Sequence, residues 1–431
     1  MNIKDFYLRC QNYFGNDAQR FIELLNEKAT HGFFLNTCKS NKEDILSLID
    51  FNYHSSGLNS NSYYTDSENI GKTLAYNLGL IYPQDVESSY FCEFLKGRDF
   101  KLIVDLCAAP GGKSIDVLNT FNDCFLIAND VSCARASIIS SNFERLGYTD
   151  TLITSTDVSN LTSSLKGNAD LVILDAPCSG EGMIRKYPEI IENLKEEEYR
   201  KLEDIQMSLL DEAYSLLKED GILVYSTCTY NPGEDELQLL NFLERYKDME
   251  LIPADFKASS SKLKGTVKLS PLSGTEGQFI SILKKNSNTS SSKIKYLKTV
   301  KNSTVEKFIK DNLNIKDYYL YSKESNYYLS LKPMPEIKGT IRAGLHIGQV
   351  KKDRFEPSHM LYRSNELKDK FRYRYELNDS EYRNYIKGLE LNLDLPDNYY
   401  LLTYKGHSFA YGRVKKGIMK NKYPKGLREM V

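Results

Sequence analysis

The sequence predicts an α/β protein centred on a doubly wound, largely parallel sheet. Short apolar runs recur at 101–106, 125–129, 171–174 and 222–226. Helical patterns lie between them, notably at 132–146 and 195–218. Buried strands that alternate with helices cannot pair as tight hairpins. They line up in parallel, with helices covering the faces. Gly/Pro-bearing polar turns follow several of these runs, at the sheet end where such folds bind ligands.

Taken in order, residues 16–28 read as a helix. Asn16 or Asp17 is placed to cap it, and Phe21, Ile22, Leu24 and Leu25 mark its apolar face. The stretch 39–90 is mixed and rich in Asn, Ser and Tyr, so 1–89 is read as an N-terminal α/β subdomain. The alternating pattern fills 90–285 and closes with a run at 278–283, suited to a late antiparallel strand. Residues 284–301 are too polar to bury much and read as a linker. With the Tyr-rich piece that follows, 286–340 is expected to be linker and a small subdomain. Residues 341–431 form a last unit of short strand-like pieces.

The 431 residues carry a formal net charge of −1, so charge has to be read locally. From Leu401 onward, Lys405, Arg413, Lys415, Lys416, Lys420, Lys422, Lys425 and Arg428 face one acid, Glu429. Such a patch suits phosphate contact. Tyr411 and Tyr423 lie among these residues and are candidates for base stacking. The 8 cysteines include no close Cys-x-x-Cys pair. That disfavours a zinc ribbon or disulfide scaffold and suits reduced thiols in a cytoplasmic protein. Cys124 and Cys133 read as inert core residues. The start of the chain lacks the apolar core of a signal peptide, and no run is long enough for a membrane helix.

Asp105-Leu-Cys107-Ala108-Ala109-Pro110-Gly111-Gly112-Lys113-Ser114 follows the first strand and opens a helix. Glycines let the backbone approach a ligand, and the helix start offers free N–H groups. The spacing is neither that of a Walker A loop nor Gly-x-Gly-x-x-Gly, so a dinucleotide is disfavoured. Asp130, at the end of the second strand, suits a ribose diol. Asp157, after the third strand-like run, can accept from an exocyclic amine. Together these residues predict S-adenosylmethionine, with S-adenosylhomocysteine as product.

Two further loops carry reactive groups. Asp175-Ala-Pro-Cys178 follows the fourth strand and Ser226-Thr-Cys228 the fifth. Adjacent parallel strands would set Asp175, Cys178 and Cys228 on one rim. Carbon 5 of cytosine is too weak a nucleophile to take a methyl group unaided. A thiolate adding to carbon 6 makes carbon 5 enamine-like. A carboxyl group at ring nitrogen 3 stabilises the charge that develops. The attacking thiol has to be partly ionised, so its pKa is expected to be depressed in the complex. Spacing does not say which thiol attacks. Lys186 is a candidate electrostatic helper and RNA contact.

The strings at 105–114, 175–183 and 225–232 resemble the Nop/Sun family of RNA cytosine-5 methyltransferases. The stretches 344–359 and 420–428 resemble its bacterial 16S rRNA branch. The resemblance implies a Rossmann-like S-adenosylmethionine methyltransferase domain, followed by a mostly β, PUA-like RNA-binding domain. It implies Cys228 as nucleophile, Cys178 as the thiol that helps release methylated RNA, and Asp175 between cofactor and base. It implies cofactor contacts from Cys107 through Lys113 and from Asp130, Arg135 and Asp157. RNA contacts are expected from Lys186, Arg413, Lys415, Lys416, Lys420 and Lys425. The expected protein is a metal-free cytoplasmic monomer acting on 16S rRNA or the small ribosomal subunit, with no membrane partner. Phe33-Phe34-Leu35-Asn36-Thr37 departs from the family by lacking an Arg, and 82–89 follows its pattern loosely.

Two rivals are disfavoured. An exocyclic-amine methyltransferase would place Asp/Asn-Pro-Pro-aromatic after the fourth strand, where Asp175-Ala-Pro-Cys178 stands. An RNA-binding assembly factor without turnover would have no need of both cysteines and an intact cofactor loop.

Overall fold

The computed structural model describes residues 3–428, apart from 122 and 255–258. Glu429, the one acid of the basic C-terminal stretch, lies outside the described residues. The central sheet has nine strands: β1 (Leu102–Asp105), β2 (Phe125–Asn129), β3 (Thr151–Thr154), β4 (Ala169–Asp175), β5 (Leu217–Thr227), β6 (Met249–Ile252), β7 (Val267–Leu269), β8 (Gln278–Lys285) and β9 (Thr340–Ala343). Their order is β6-β8-β5-β4-β1-β2-β3-β9, with β7 paired to β8. β1 pairs in parallel with both β2 and β4, β2 with β3, and β4 with β5. The expected late strand β8 runs antiparallel to β5. This is the doubly wound arrangement, and its strands are buried because helices cover both faces.

The helices follow the crossovers: α1 (Gly112–Thr120), α2 (Cys133–Leu146), α3 (Val158–Leu165), α4 (Glu196–Leu216) and α5 (Glu236–Arg245). Ser132 caps α2 by accepting from the Arg135 N–H, and Gly147 ends it in the left-handed region. One side of the sheet buries Ile103, Leu126, Ile173 and Val224, and the other buries Val104, Ile127, Val172 and Leu223. The alternation is the two-residue period of a strand.

The N-terminal region begins with two helices, Ile3–Phe14 and Ala18–Leu25. The sequence suggested one helix starting at 16, but Gly15–Asp17 is a 3-10 turn and neither Asn16 nor Asp17 caps by its side chain. Phe6, Cys10 and Phe21 pack against Ile184, Ile191 and Tyr230, beside the loops that follow β4 and β5. A four-stranded antiparallel sheet completes the region.

The stretch around 340 is divided between two sheets. β9 pairs antiparallel with β3, although the sequence pattern places 341 onward in the last unit. Leu345–Lys351 and Arg354–Pro357 join Tyr319–Lys323 and Asn326–Ser330 in a separate antiparallel sheet beside the helix Ser303–Asn312. The terminal five-stranded sheet, with the capped helix Asp379–Ile386, spans Arg374 to Asn421. Pairings between residues so far apart leave no periodic trace in the sequence. The N-terminal and terminal sheets share one core, in which Phe33, Leu35 and Ile81 meet Leu377, Tyr385 and Phe409. Among the described residues no helix is long and apolar enough to cross a membrane.

Candidate active site

A cavity of about 470 Å³ opens at the carboxyl ends of β1 to β5. Its wall includes Cys107, Ala109, Asp130, Arg135, Asp157, Asp175, Cys178 and Cys228. The structure therefore gathers these eight of the residues predicted from sequence into one place. The volume lies within the range of small-molecule sites.

The loop after β1 is held from behind by Asn129, which is fully buried. Its Nδ2 donates to the Leu106 and Thr156 carbonyls, both at 3.1 Å. Its Oδ1 accepts from Thr154 Oγ1 at 2.8 Å and from the Thr156 N–H at 3.2 Å. One amide thus ties together the ends of β1, β2 and β3. Gly111 adopts φ +112 at the start of α1, a conformation open to glycine and costly for other residues. Pro110, Gly111 and Gly112 turn the loop and do not line the cavity.

Asp130 is 3% exposed. Its Oδ1 accepts from the Ser132 N–H at 2.9 Å, and its Oδ2 lies 3.3 Å from Arg135. Arg135 also donates to the Ala109 carbonyl at 3.0 Å, so it clamps the first loop to the second. Asp157 caps α3, and the bonds it accepts from the Ser159 hydroxyl and then from the Ser159 N–H hold its carboxyl below the usual range. The cavity wall also takes Val131 from the loop after β2, Val158 from the start of α3, and Ile205, Ser208, Leu209 and Glu212 from α4. A carboxylate pair above apolar walls fits an adenosyl group: hydroxyls and an amine to the acids, a flat ring to Val131, Val158 and Leu209.

The α4 residues escaped sequence reasoning. Their spacing of three and four puts them on one helix face. Ile205 is 47% exposed in that face, a large apolar side chain beside the cavity mouth.

The two thiols and the carboxyl expected to react sit on the adjacent ends of β4 and β5. Cys178 Sγ and Cys228 Sγ are 3.3 Å apart, and the Cys228 N–H donates to Cys178 Sγ at 3.3 Å. The bond to Cys228 and then burial push the Cys178 thiol well above its ordinary pKa. Asp175 Oδ1 accepts from Ser226 Oγ at 2.7 Å, and its Oδ2 pairs with Lys113 Nζ at 2.9 Å. Lys113 is nearly buried: burial opposes its charge, but Asp175 holds its pKa above the usual value. Lys113 therefore props Asp175 rather than lining the cavity.

The two cysteine loops are laced together. Ser179 and Thr229 share a hydroxyl bond of 2.6 Å, and the Gly182 N–H donates to the Cys228 carbonyl at 2.9 Å. Glu234, fully buried, accepts from the Ser179 N–H and from Gln206 Nε2, both at 2.9 Å.

Several predicted residues lie elsewhere. Lys186 pairs with Asp85 in a neighbouring groove. Arg413, Lys415 and Lys420 are exposed on the terminal sheet, where Arg413 and Lys420 stand opposite each other and Lys420 pairs with Glu390. Lys416 occupies a turn and Lys425 the last helix. Tyr411 and Tyr423 are buried, Tyr411 stacking on Tyr362 and Tyr423 packing near His359, so neither offers a face to a base. Cys124 is buried as expected, whereas Cys133 is exposed because it starts the solvent side of α2.

A cofactor-sized cavity at a doubly wound rim, with two thiols and a propped aspartate in its wall, defines an S-adenosylmethionine-dependent methyltransferase. A family model described as 16S rRNA methyltransferase RsmB/F matches residues 92–284. Models for the N-terminal domain of 16S rRNA methyltransferase RsmF, the RsmF rRNA methyltransferase first C-terminal domain and the methyltransferase RsmF PUA domain match 3–86, 305–363 and 372–429. Two proteins named ribosomal RNA small subunit methyltransferase F are similar. That of Aliivibrio fischeri is 26% identical, over 84% of this chain and 82% of its own. That of Shewanella loihica is 27% identical, over 84% and 80%. A solved structure of a methyltransferase homolog from Pyrococcus horikoshii superposes with a TM-score of 0.59 at 26% identity, covering 66% of this chain and 95% of that one. The chain belongs to the RsmB/F family of RNA methyltransferases.

Proposed function

We propose that the protein methylates carbon 5 of a cytidine in 16S rRNA, free or in the small ribosomal subunit, with Cys228 as the covalent nucleophile. It acts as a metal-free monomer in the cytoplasm. The observation that carries this reading is the thiol pair at 3.3 Å beside the Lys113-held Asp175, in the wall of the cavity. The RNA is that of its relatives, which are named as methyltransferases of small-subunit ribosomal RNA.

Asp130 would hold the ribose hydroxyls, Asp157 the adenine amine, and Cys107 and Ala109 in the cavity wall the amino-acid end. S-adenosylmethionine, when bound, supplies an electrophilic methyl group. The Cys228 thiolate adds to carbon 6 of the flipped cytosine, and carbon 5 becomes the nucleophile. A proton shared between the Asp175 carboxyl and ring nitrogen 3 neutralises the charge that sulfur addition puts on the ring, and Lys113 and Ser226 fix the carboxyl's direction. After methylation a base takes the carbon-5 proton and the Cys228 sulfur leaves. Cys178, held protonated and touching Cys228, is placed to give its proton to the departing thiolate.

Bisulfite sequencing of 16S rRNA from cells with and without the gene tests this. One or more cytidines should lose protection in the deletion and regain it with the wild type but not with Cys228→Ala. Identical maps in all strains would refute the assignment.

A further inference from the structure

A second cavity, about 580 Å³, lies where the N-terminal subdomain meets the terminal sheet, apart from the cofactor cavity. Lys39, Lys368, Arg374 and Lys405 line it against two acids, Asp44 and Asp369. Arg374 is engaged by Asp369 at 3.3 Å, and Lys368 donates to the Lys39 carbonyl at 2.7 Å. Lys39 itself is 3% exposed, and the partner of its amine is the Arg363 carbonyl at 3.5 Å. Its surroundings are other cations, Arg363, Lys368 and Arg145, which add to burial in lowering its pKa. Ser408, also in the wall and 4% exposed, has a hydroxyl with no partner. Lys405 reaches the cavity from a tight turn in which it holds φ +49, an uncommon conformation for a non-glycine residue.

A buried ammonium among cations is unfavourable unless an anion joins it. An unbonded buried hydroxyl likewise calls for an acceptor. We propose that this cavity binds a phosphate group, and that the phosphate belongs to the backbone of the substrate RNA, distant from the methylated base. A single phosphate oxygen set can accept from the Lys39 ammonium and the Ser408 hydroxyl, with Lys405 closing over it. The site would use both ends of the chain to clamp RNA and set its register relative to the catalytic rim. This rests on RNA being the substrate.

The test is RNA binding and methylation by Lys39→Met, with Lys405→Gln as an exposed variant that leaves the core untouched. Thermal melting establishes that Lys39→Met is folded. Both variants should bind a 16S rRNA fragment about tenfold more weakly, and the salt slope of log affinity should shrink by about 0.7 for one lost contact. The kcat at saturating RNA should stay at the wild-type value, which separates this site from the catalytic one. Unchanged affinity and salt slope in both variants would overturn the proposal. Inorganic phosphate is the second arm. If it raises the wild-type melting temperature but not that of Lys39→Met while RNA affinity is the same in both, the cavity serves free phosphate and the RNA assignment is wrong. Absence of methylation by the wild type would instead strike the proposed function.

Discussion

Asn129→Ala is the substitution that most directly probes how the cofactor loops are held. The amide makes four hydrogen bonds, of 2.8 to 3.2 Å, to Leu106, Thr154 and Thr156. It is fully buried, so water cannot replace it. A net hydrogen bond contributes about 1 kcal/mol, and leaving its buried partner unpaired costs at least as much. Removing all four should destabilise the catalytic domain by roughly 3–4 kcal/mol, with some relaxation included. For a domain of this size that corresponds to a fall in melting temperature of roughly 10 °C. The same loss frees Leu106 and Thr156, which lead into Cys107 and Asp157. The KM for S-adenosylmethionine should therefore rise by about tenfold, equivalent to about 1.4 kcal/mol, with the KM for RNA nearly constant. Differential scanning calorimetry and initial rates at varied cofactor supply both numbers. A melting temperature within about 2 °C of wild type, together with an unchanged cofactor KM, would refute the idea that this amide organises the three loops.

Asp175→Asn keeps the acceptor for Ser226 but leaves Lys113 without its carboxylate. Single-turnover methylation should slow by roughly 10²–10³-fold with cofactor affinity little changed; a rate within a few-fold of wild type would remove Asp175 from the chemistry. Burial pushes the Asp105 carboxyl up to about 7, against the bond from Ser114 that favours its ionised form. Folded Asp105 then keeps its proton between about pH 4 and 7, where an unfolded aspartate loses it. The stability it contributes is complete below that window and is lost as pH rises through 7. Asp105→Asn should accordingly gain melting temperature relative to wild type across the window, and parallel pH profiles for the two proteins would contradict the assignment.

Much of the site was legible because reactive residues sat directly after strands. Asp130 follows β2, and Asp175, Cys178 and Cys228 follow β4 and β5, so strand periodicity placed them on one rim. Lys113 was legible as a member of the loop but not as the prop of Asp175, since that pair joins separate strands. The α4 face of Ile205, Ser208, Leu209 and Glu212 was hidden in a long amphipathic helix, where one exposed apolar residue carries little signal. Tyr411 and Tyr423 misled because a tyrosine among lysines looks identical whether its ring faces solvent or core. Beyond residue 300 the reading weakened for a different reason. β9 completes the catalytic sheet from about 190 residues beyond its partner β3, and Lys39 meets Ser408 in one cavity from opposite ends of the chain. Neighbours of that kind arise from tertiary packing, which local pattern does not encode.

The central claim is that sulfur 228 bonds covalently to the base. Cys178→Ala removes the thiol held against Cys228 and should stall release, so the protein incubated with cofactor and 16S rRNA fragment should run as a denaturant-resistant RNA adduct. Mass spectrometry of the digested adduct should place the nucleotide on the peptide that contains Cys228. The double variant Cys178→Ala/Cys228→Ala should give neither adduct nor methylated RNA. An adduct mapped to another residue, or methyl transfer that survives loss of Cys228, would contradict the account.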